Sequence, residues 1–270
     1  MVDLAPSNPF GLALPSPVMV AAGCLGYGVE YRQGIEWRGL GALVTRTTTL
    51  RPLRVARPPR LIETASGLLG VGPWPNPGIE HVLDRHAPVW AGMPMPVILS
   101  IAGSAHECGQ IAGMIEGVEG VAGLELAVPE EPGRAAALVA AVRRSCMLPL
   151  LAKLPLLAPA PLLALAQAVA QAGADTLTLF APPAAAYPDP ATGELLAGWL
   201  AGPAVRPLVL QRLAEVLPQL TLPVAACGGV TSAADARLLL AAGAAAVQLG
   251  SALLADPHAA GAVAAAMAQP

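Results

Sequence analysis

Lys153 is the only lysine in a chain whose other basic residues are all arginines, and it stands in the stretch PLLAKLP, at the end of an apolar, strand-like run. A long cation placed there projects into whatever space the strand opens on. An ammonium in apolar surroundings needs an anionic or strongly accepting partner. A phosphate, a carboxylate or the electron-rich edge of a reduced flavin would serve; the alternative is a lysine that reaches solvent over a rim. A second chemical feature lies in Thr221 to Leu253, TLPVAACGGVTSAADARLLLAAGAAAVQLGSAL, which reads as strand, glycine turn, helix, strand. Its strands finish in small-residue turns at Cys227-Gly228-Gly229 and Gly250-Ser251. Parallel strands that end in glycine leave backbone N–H groups uncovered beside the positive end of a helix, which makes a phosphate cradle. The helix between them is bounded: Thr231 or Ser232 can cap its start, and Gly243 can end it in a left-handed conformation.

Both features need a scaffold that gathers strand ends. Eight short apolar runs alternate with Ala/Leu/Arg helical patterns: Val18–Gly23, Ala42–Thr47, Val97–Gly103, Gly123–Val128, Leu150–Leu154, Thr176–Ala181, Val224–Gly229 and Val247–Ser251. Each run is continuously apolar, as expected of a strand covered on both faces. Repeated βα units of this kind predict a single (β/α)8 TIM barrel, an α/β fold spanning residues 1–270 as one domain. Two connections, Thr48 to Gly78 and Pro182 to Pro207, are too long and too rich in Pro and Gly to be plain crossovers. They follow the second and sixth strands at the end where barrel loops build active sites, so they are candidate lids or substrate walls; the alternative is tolerated surface insertions.

Composition narrows the partners. With 55% hydrophobic residues, 12% charged residues and a net charge of −3, the chain can bury a large core. Its 15 basic residues form no stripe, which argues against nucleic acid. No uninterrupted apolar stretch suggests a membrane span, and the start, MVDLAPSNPFG, does not read as a secretory signal, so a cytoplasmic protein is expected. Cys24, Cys108, Cys146 and Cys227 lie far apart with no C-x-x-C pair; they are expected to be reduced structural thiols, with no metal site.

Taken in order, the blocks NPF, VMVAAGCLGYGVEY, GALVTRTTTLRP, PRLIET, PNPGIE, VILSIAGS, GLEL, LLAKLP, AGADTLTLF, AGPAVRP, LPVAACGGVTSAADA and AAGAAAVQLGSAL resemble the dihydroorotate dehydrogenases. The likeness is strongest to the cytoplasmic class 1 branch, nearest its 1B catalytic subunit. The resemblance implies an FMN-binding barrel, an oxidoreductase that acts on CH–CH bonds and converts dihydroorotate to orotate in pyrimidine biosynthesis. It places the FMN phosphate at Cys227, Gly228, Gly229, Gly250 and Ser251, with Gly202 nearby. It places the flavin ring along Ala22, Gly23, Arg46, Ser100 and Lys153. Asn76 matches an asparagine of the substrate loop. The 1B branch pairs with an iron–sulfur flavoprotein subunit that brings NAD, so a homodimer or a hetero-oligomer is expected.

The departures from that pattern bear on the substrate. Arg46 stands where the family has lysine, Ser100 where it has asparagine, and Phe180-Ala181 where it has an asparagine and a hydroxyl residue. A family asparagine falls near Gly70. The Asn-x-Ser-Cys-Pro-Asn segment that supplies the base is here Ala127-Val128-Pro129-Glu130-Glu131-Pro132. Each buried polar group left unpaired costs about 1–3 kcal/mol, so three or four such losses would weaken dihydroorotate binding by roughly a thousandfold. Glu130 falls where the family's base stands and is the candidate replacement, a carboxylate able to take a proton from carbon; alternatively, Glu130 and Glu131 simply open the next helix. Arg54, Arg57 and Arg60 are candidates for a carboxylate clamp. Two functions follow: an FMN oxidoreductase with an altered substrate site, or a non-catalytic barrel subunit that has lost the activity.

Overall fold

The computed structural model describes residues 1–31, 34–54 and 59–268. Eight strands, buried along almost their whole length, form a closed parallel barrel: β1 (Val18–Val20), β2 (Ala42–Val44), β3 (Val97–Ile101), β4 (Val121–Ala127), β5 (Leu150–Leu154), β6 (Thr176–Leu179), β7 (Val224–Cys227) and β8 (Ala246–Leu249). They pair in sequence order and β8 closes on β1, with Val247, Gln248 and Leu249 opposite Val18, Met19 and Val20. Each expected apolar run overlaps one of these strands; six contain theirs whole, while β4 starts two residues and β8 one residue ahead of the expected run. They are largely apolar because one face packs on the barrel interior and the other on the surrounding helices.

The interior is layered. Toward the N-terminal end of the strands, Met19, Ala42, Val44, Ile98, Leu151, Ala225 and Ala246 fill the barrel. A hairpin of Val2–Asp3 and Ala13–Leu14 contributes Leu4, Leu12 and Leu14 to the same cluster. Two positions farther along the strands, the inward side chains turn polar: Glu125, Lys153, Thr178 and Gln248 are all buried. Alternate residues of a strand face the same way, so the apolar layer is the floor on which the polar layer stands.

The two long insertions meet each other. Leu61–Thr64 and Gly67–Gly70 from the first, and Ala184–Pro188 and Leu195–Ala201 from the second, build one four-stranded antiparallel sheet. The seam pairs Trp199 with Gly70, Leu200 with Leu69 and Ala201 with Leu68. At Gly198 the neighbouring chain comes so close that a Cβ would sit 2.1 Å from the Gly70 carbonyl oxygen. Gly198→Ala is therefore expected to open the seam. The overpacking, about 1–3 kcal/mol, would speed amide exchange in the two insertions by roughly tenfold or more. Exchange in the barrel strands should stay unchanged, as followed by mass spectrometry.

Candidate active site

A cavity of about 450 Å3 opens at the C-terminal ends of the strands beneath the insertion sheet. This is the end of a (β/α)8 barrel where strand tips and loops converge. At its floor lies a network that holds every inward polar group of the layer. The Lys153 ammonium donates to Gln248 Oε1 at 3.0 Å and to Glu125 Oε1 at 3.4 Å. Glu125 Oε2 accepts from Gln248 Nε2 at 2.7 Å and from Thr178 Oγ1 at 3.0 Å. Burial opposes the lysine's charge, but the Glu125 carboxylate beside it favours the cation, and its pKa lies above the ordinary value. Lys153 is thus a cation at the cavity floor at neutral pH. Its alternative, a lysine reaching solvent over the rim, does not hold, since its side chain is 9% exposed.

The glycine cradle flanks the same cavity. Gly228, Gly229, Gly250 and Ser251 all line it, and their amide N–H groups have no acceptor among the described residues. Four open donors on one wall are what an anionic oxygen cluster needs. The turn is braced from behind. Arg206 Nη1 donates to the Gly229 carbonyl at 3.0 Å and pairs with Asp235 Oδ1 at 2.7 Å. Ser232, one of the two expected caps, is the N-cap of the helix Ala233–Ala241 and forms a capping box with Asp235; Gly243 beyond its end has φ +106°. Asp235 Oδ2 also accepts from Thr231 and from the Ser232 amide.

Burial alone would raise the Asp235 carboxyl's pKa, but the bonds from Thr231 and Ser232 and the Arg206 guanidinium hold it below its ordinary value. A depressed folded-state pKa gives stability that is present above the unfolded value, about 3.9, and is lost as pH falls through the lower folded value. Asp235→Asn should therefore be less stable than the parent by about 1.5–3 kcal/mol at neutral pH. The gap should stay constant down to about pH 4 and close below it, which thermal unfolding across pH would show.

Of the residues singled out by sequence, the cavity brings together Ala22, Gly23, Asn76, Ser100, Lys153, Gly202, Cys227, Gly228, Gly229, Gly250 and Ser251. Three expectations are corrected. Glu130 is exposed and does not line the cavity; beside it, Glu131 caps the helix Pro132–Arg143, accepting from Gly133 and Arg134 at 2.8 and 2.7 Å. The free N–H groups of that helix explain Glu131, and Glu130 is not placed on the cavity where a base would stand. Arg46 is also absent from the lining: its backbone is pinned by the bond from its amide to the Gly26 carbonyl at 2.7 Å, and its Nε is buried without an acceptor among the described residues. Arg54 and Arg60 are exposed and off the cavity, while Arg57 lies outside the described residues.

Other lining residues carried no expectation. Glu125 and Gln248 announce themselves in the sequence only as lone polar residues in continuous apolar strands, GLEL and AAAVQLG, where a buried charge must find a partner. Trp74 and Trp199, one from each insertion, pack with ring centroids 5.9 Å apart. Cys24 and Cys227, expected as structural thiols, both face the cavity. Burial pushes the Cys24 thiol up to about 12 and raises Cys227 as well, so neither is a ready thiolate at neutral pH.

An apolar cavity with open amides and a buried ion pair, at the C-terminal end of a closed eight-stranded parallel barrel, defines a (β/α)8-barrel protein with its cavity at the strand tips. The chain belongs to the dihydroorotate dehydrogenase family: the family model "Dihydroorotate dehydrogenase" matches residues 5–269. It is 39% identical to a Desulforudis audaxviator protein named dihydroorotate dehydrogenase B (NAD(+)), catalytic subunit, covering 96% of this chain and 90% of that one. An Anoxybacillus flavithermus protein of the same name is 35% identical over 92% of this chain and 85% of its own length. A crystal structure of DHODH in complex with ferulenol, from Eimeria tenella, superposes with a TM-score of 0.77 over 98% of this chain and 85% of that one; at 15% identity it supports the fold alone. Among the described residues no helix is long and apolar enough to cross a membrane.

Proposed function

We propose that this chain is an FMN-dependent oxidoreductase acting on CH–CH bonds, with a substrate site altered from that of a dihydroorotate-oxidising enzyme. The observation that carries it is the open-amide wall at Gly228, Gly229, Gly250 and Ser251, set on the same cavity as the Lys153 cation. A cavity of about 450 Å3 is within the usual range for cofactor sites. The four amides would hold the phosphate, and Ala22, Gly23, Ser100 and Lys153 would flank the ring. When bound, FMN would supply two-electron redox chemistry. Lys153 would hold a positive charge where a reduced ring gathers negative charge, and Glu125 with Gln248 would fix the ammonium's direction. The relatives' designation as catalytic subunits favours an enzyme over a scaffold.

Residues 1–270 are taken as one barrel unit in the cytoplasm, working with a separate iron–sulfur flavoprotein subunit that connects to NAD. The relatives' names, B and NAD(+)-linked, support such a partner. The purified protein should be yellow and release FMN on denaturation. A colourless protein that takes up no added FMN would overturn the reading. Anaerobic addition of dihydroorotate then tests the altered site: bleaching at the rate of an efficient dehydrogenase would show that the substrate site is not altered.

A further inference from the structure

We propose that the substrate end of this cavity takes a neutral, planar, largely apolar ring that carries a carbonyl-type oxygen, and that it discriminates against the anionic dihydroorotate ring. Location of the substrate beside a flavin rests on the function proposed above; the preference for a neutral ring rests on the cavity walls alone. Among the described lining residues the charged side chains are Lys153 and Glu125, and they are paired with each other. An incoming carboxylate would therefore find no uncompensated cation among the described lining residues, and an unpaired ion in an apolar site is strongly disfavoured.

The walls explain what replaces charge recognition. Phe180, 2% exposed, and Ala181 line the cavity at the end of β6, and Ala127 lines it at the end of β4. From the insertions come Trp74 and Trp199. A Cβ built on Gly70 would lie 2.0 Å from Trp199 Cζ2, so the indole occupies the room that any side chain at position 70 would need. An asparagine at that place and this tryptophan pose exclude each other. The loss of a polar group near Gly70 and the gain of an aromatic surface are one structural event.

One polar side chain on these walls offers a free donor. Asn76 Oδ1 is engaged by two backbone donors, accepting from the Thr49 amide and the Gly78 amide, each at 3.1 Å. The two backbone donors fix which end of the amide is oxygen. Its Nδ2 group has no acceptor among the described residues, and Asn76 lines the cavity. Aromatic faces plus that free amide donor suit a flat ring with an accepting oxygen.

Equilibrium titrations of the purified protein with 1-indanone, a flat neutral ketone, and with orotate test this. Tryptophan fluorescence is the first readout, and the visible flavin band of the FMN-loaded protein is the second. The expected result is a Kd for 1-indanone at least about tenfold below that for orotate. Trp199→Ala and Gly70→Asn should each weaken 1-indanone binding by about tenfold while leaving orotate binding equal or tighter. Orotate binding as tightly as 1-indanone to the parent protein, or no detectable binding of 1-indanone, would overturn the proposal. Should either variant fail to fold, the parent comparison alone decides. A protein without FMN that still prefers 1-indanone by fluorescence would refute the flavin reading and leave the ring preference standing.

Discussion

Replacing Lys153 with alanine is expected to cost about 3–5 kcal/mol of folding stability, the usual penalty for stripping the partner from a buried charge. The Glu125 side chain is 1% exposed, and without the ammonium it keeps only the Thr178 hydroxyl and the Gln248 amide as donors. Gln248 would lose on the same substitution, because its Oε1 is the other acceptor of the lysine. In a barrel of this size such a loss lowers the melting temperature by roughly 10 °C. The decisive comparison is with Glu125→Gln and with the double variant Lys153→Met/Glu125→Gln, which removes both charges and leaves groups of similar volume. A buried ion pair contributes little beyond a well-packed neutral replacement, so the double variant should recover at least half of the lost stability. A double variant whose loss in urea unfolding equals the sum of the two single losses would show that the two side chains do not depend on each other.

That network also shows where sequence reasoning stops. The eight strands are legible because burial on both faces leaves continuous apolar runs, and the cradle is legible because a turn that exposes amides is written in glycine over a few neighbouring residues. Lys153 is legible as a lone cation. Its partners are not: the bond between Gln248 and Glu125 joins residues 123 apart in the chain, and only closure of the barrel brings them together. The insertion sheet is hidden for the same reason, since Gly70 and Trp199 read as unrelated loop residues until their strands pair.

The corrected positions fail for a different reason. At Glu130 and Glu131 the local sequence supports two readings, a base at the end of β4 and an acidic start to a helix. Unpaired amides decide the matter, because Gly133 and Arg134 would otherwise have no acceptor. Arg46 shows that a charge can be read from sequence while its direction cannot. Its bond to Gly26 and the hydroxyls of Thr45 and Thr48 on its carbonyl set the backbone, and the guanidinium follows. The substrate end of the cavity is therefore built from tertiary pairings, whereas the phosphate end is built from local turns.

The phosphate end yields the other large effect, from two glycines that look equivalent in sequence. Gly229→Ala is expected to lower stability by about 2–5 kcal/mol. The residue has φ +74°, a left-handed conformation that costs an alanine about 1–2 kcal/mol. Its new Cβ would lie 2.7 Å from Arg206 Cβ and 3.0 Å from the Gly202 carbonyl oxygen, which adds about 1–3 kcal/mol of overpacking. The strain falls on a residue that lines the cavity and whose carbonyl Arg206 holds. The bound flavin per protein in purified Gly229→Ala should accordingly fall at least about tenfold, a loss that corresponds to 1.4 kcal/mol or more of binding. Gly250→Ala supplies the contrast. Its Cβ would meet Ala21 Cβ at 3.5 Å and Cys24 Sγ at 3.8 Å, both ordinary contacts, and no left-handed conformation is required. That variant should stay within about 1 kcal/mol of the parent and keep most of its flavin, since its backbone amide remains in place. Equal losses in both variants would mean that the open face of each glycine, and not the strained turn at Gly229, is what the ligand requires.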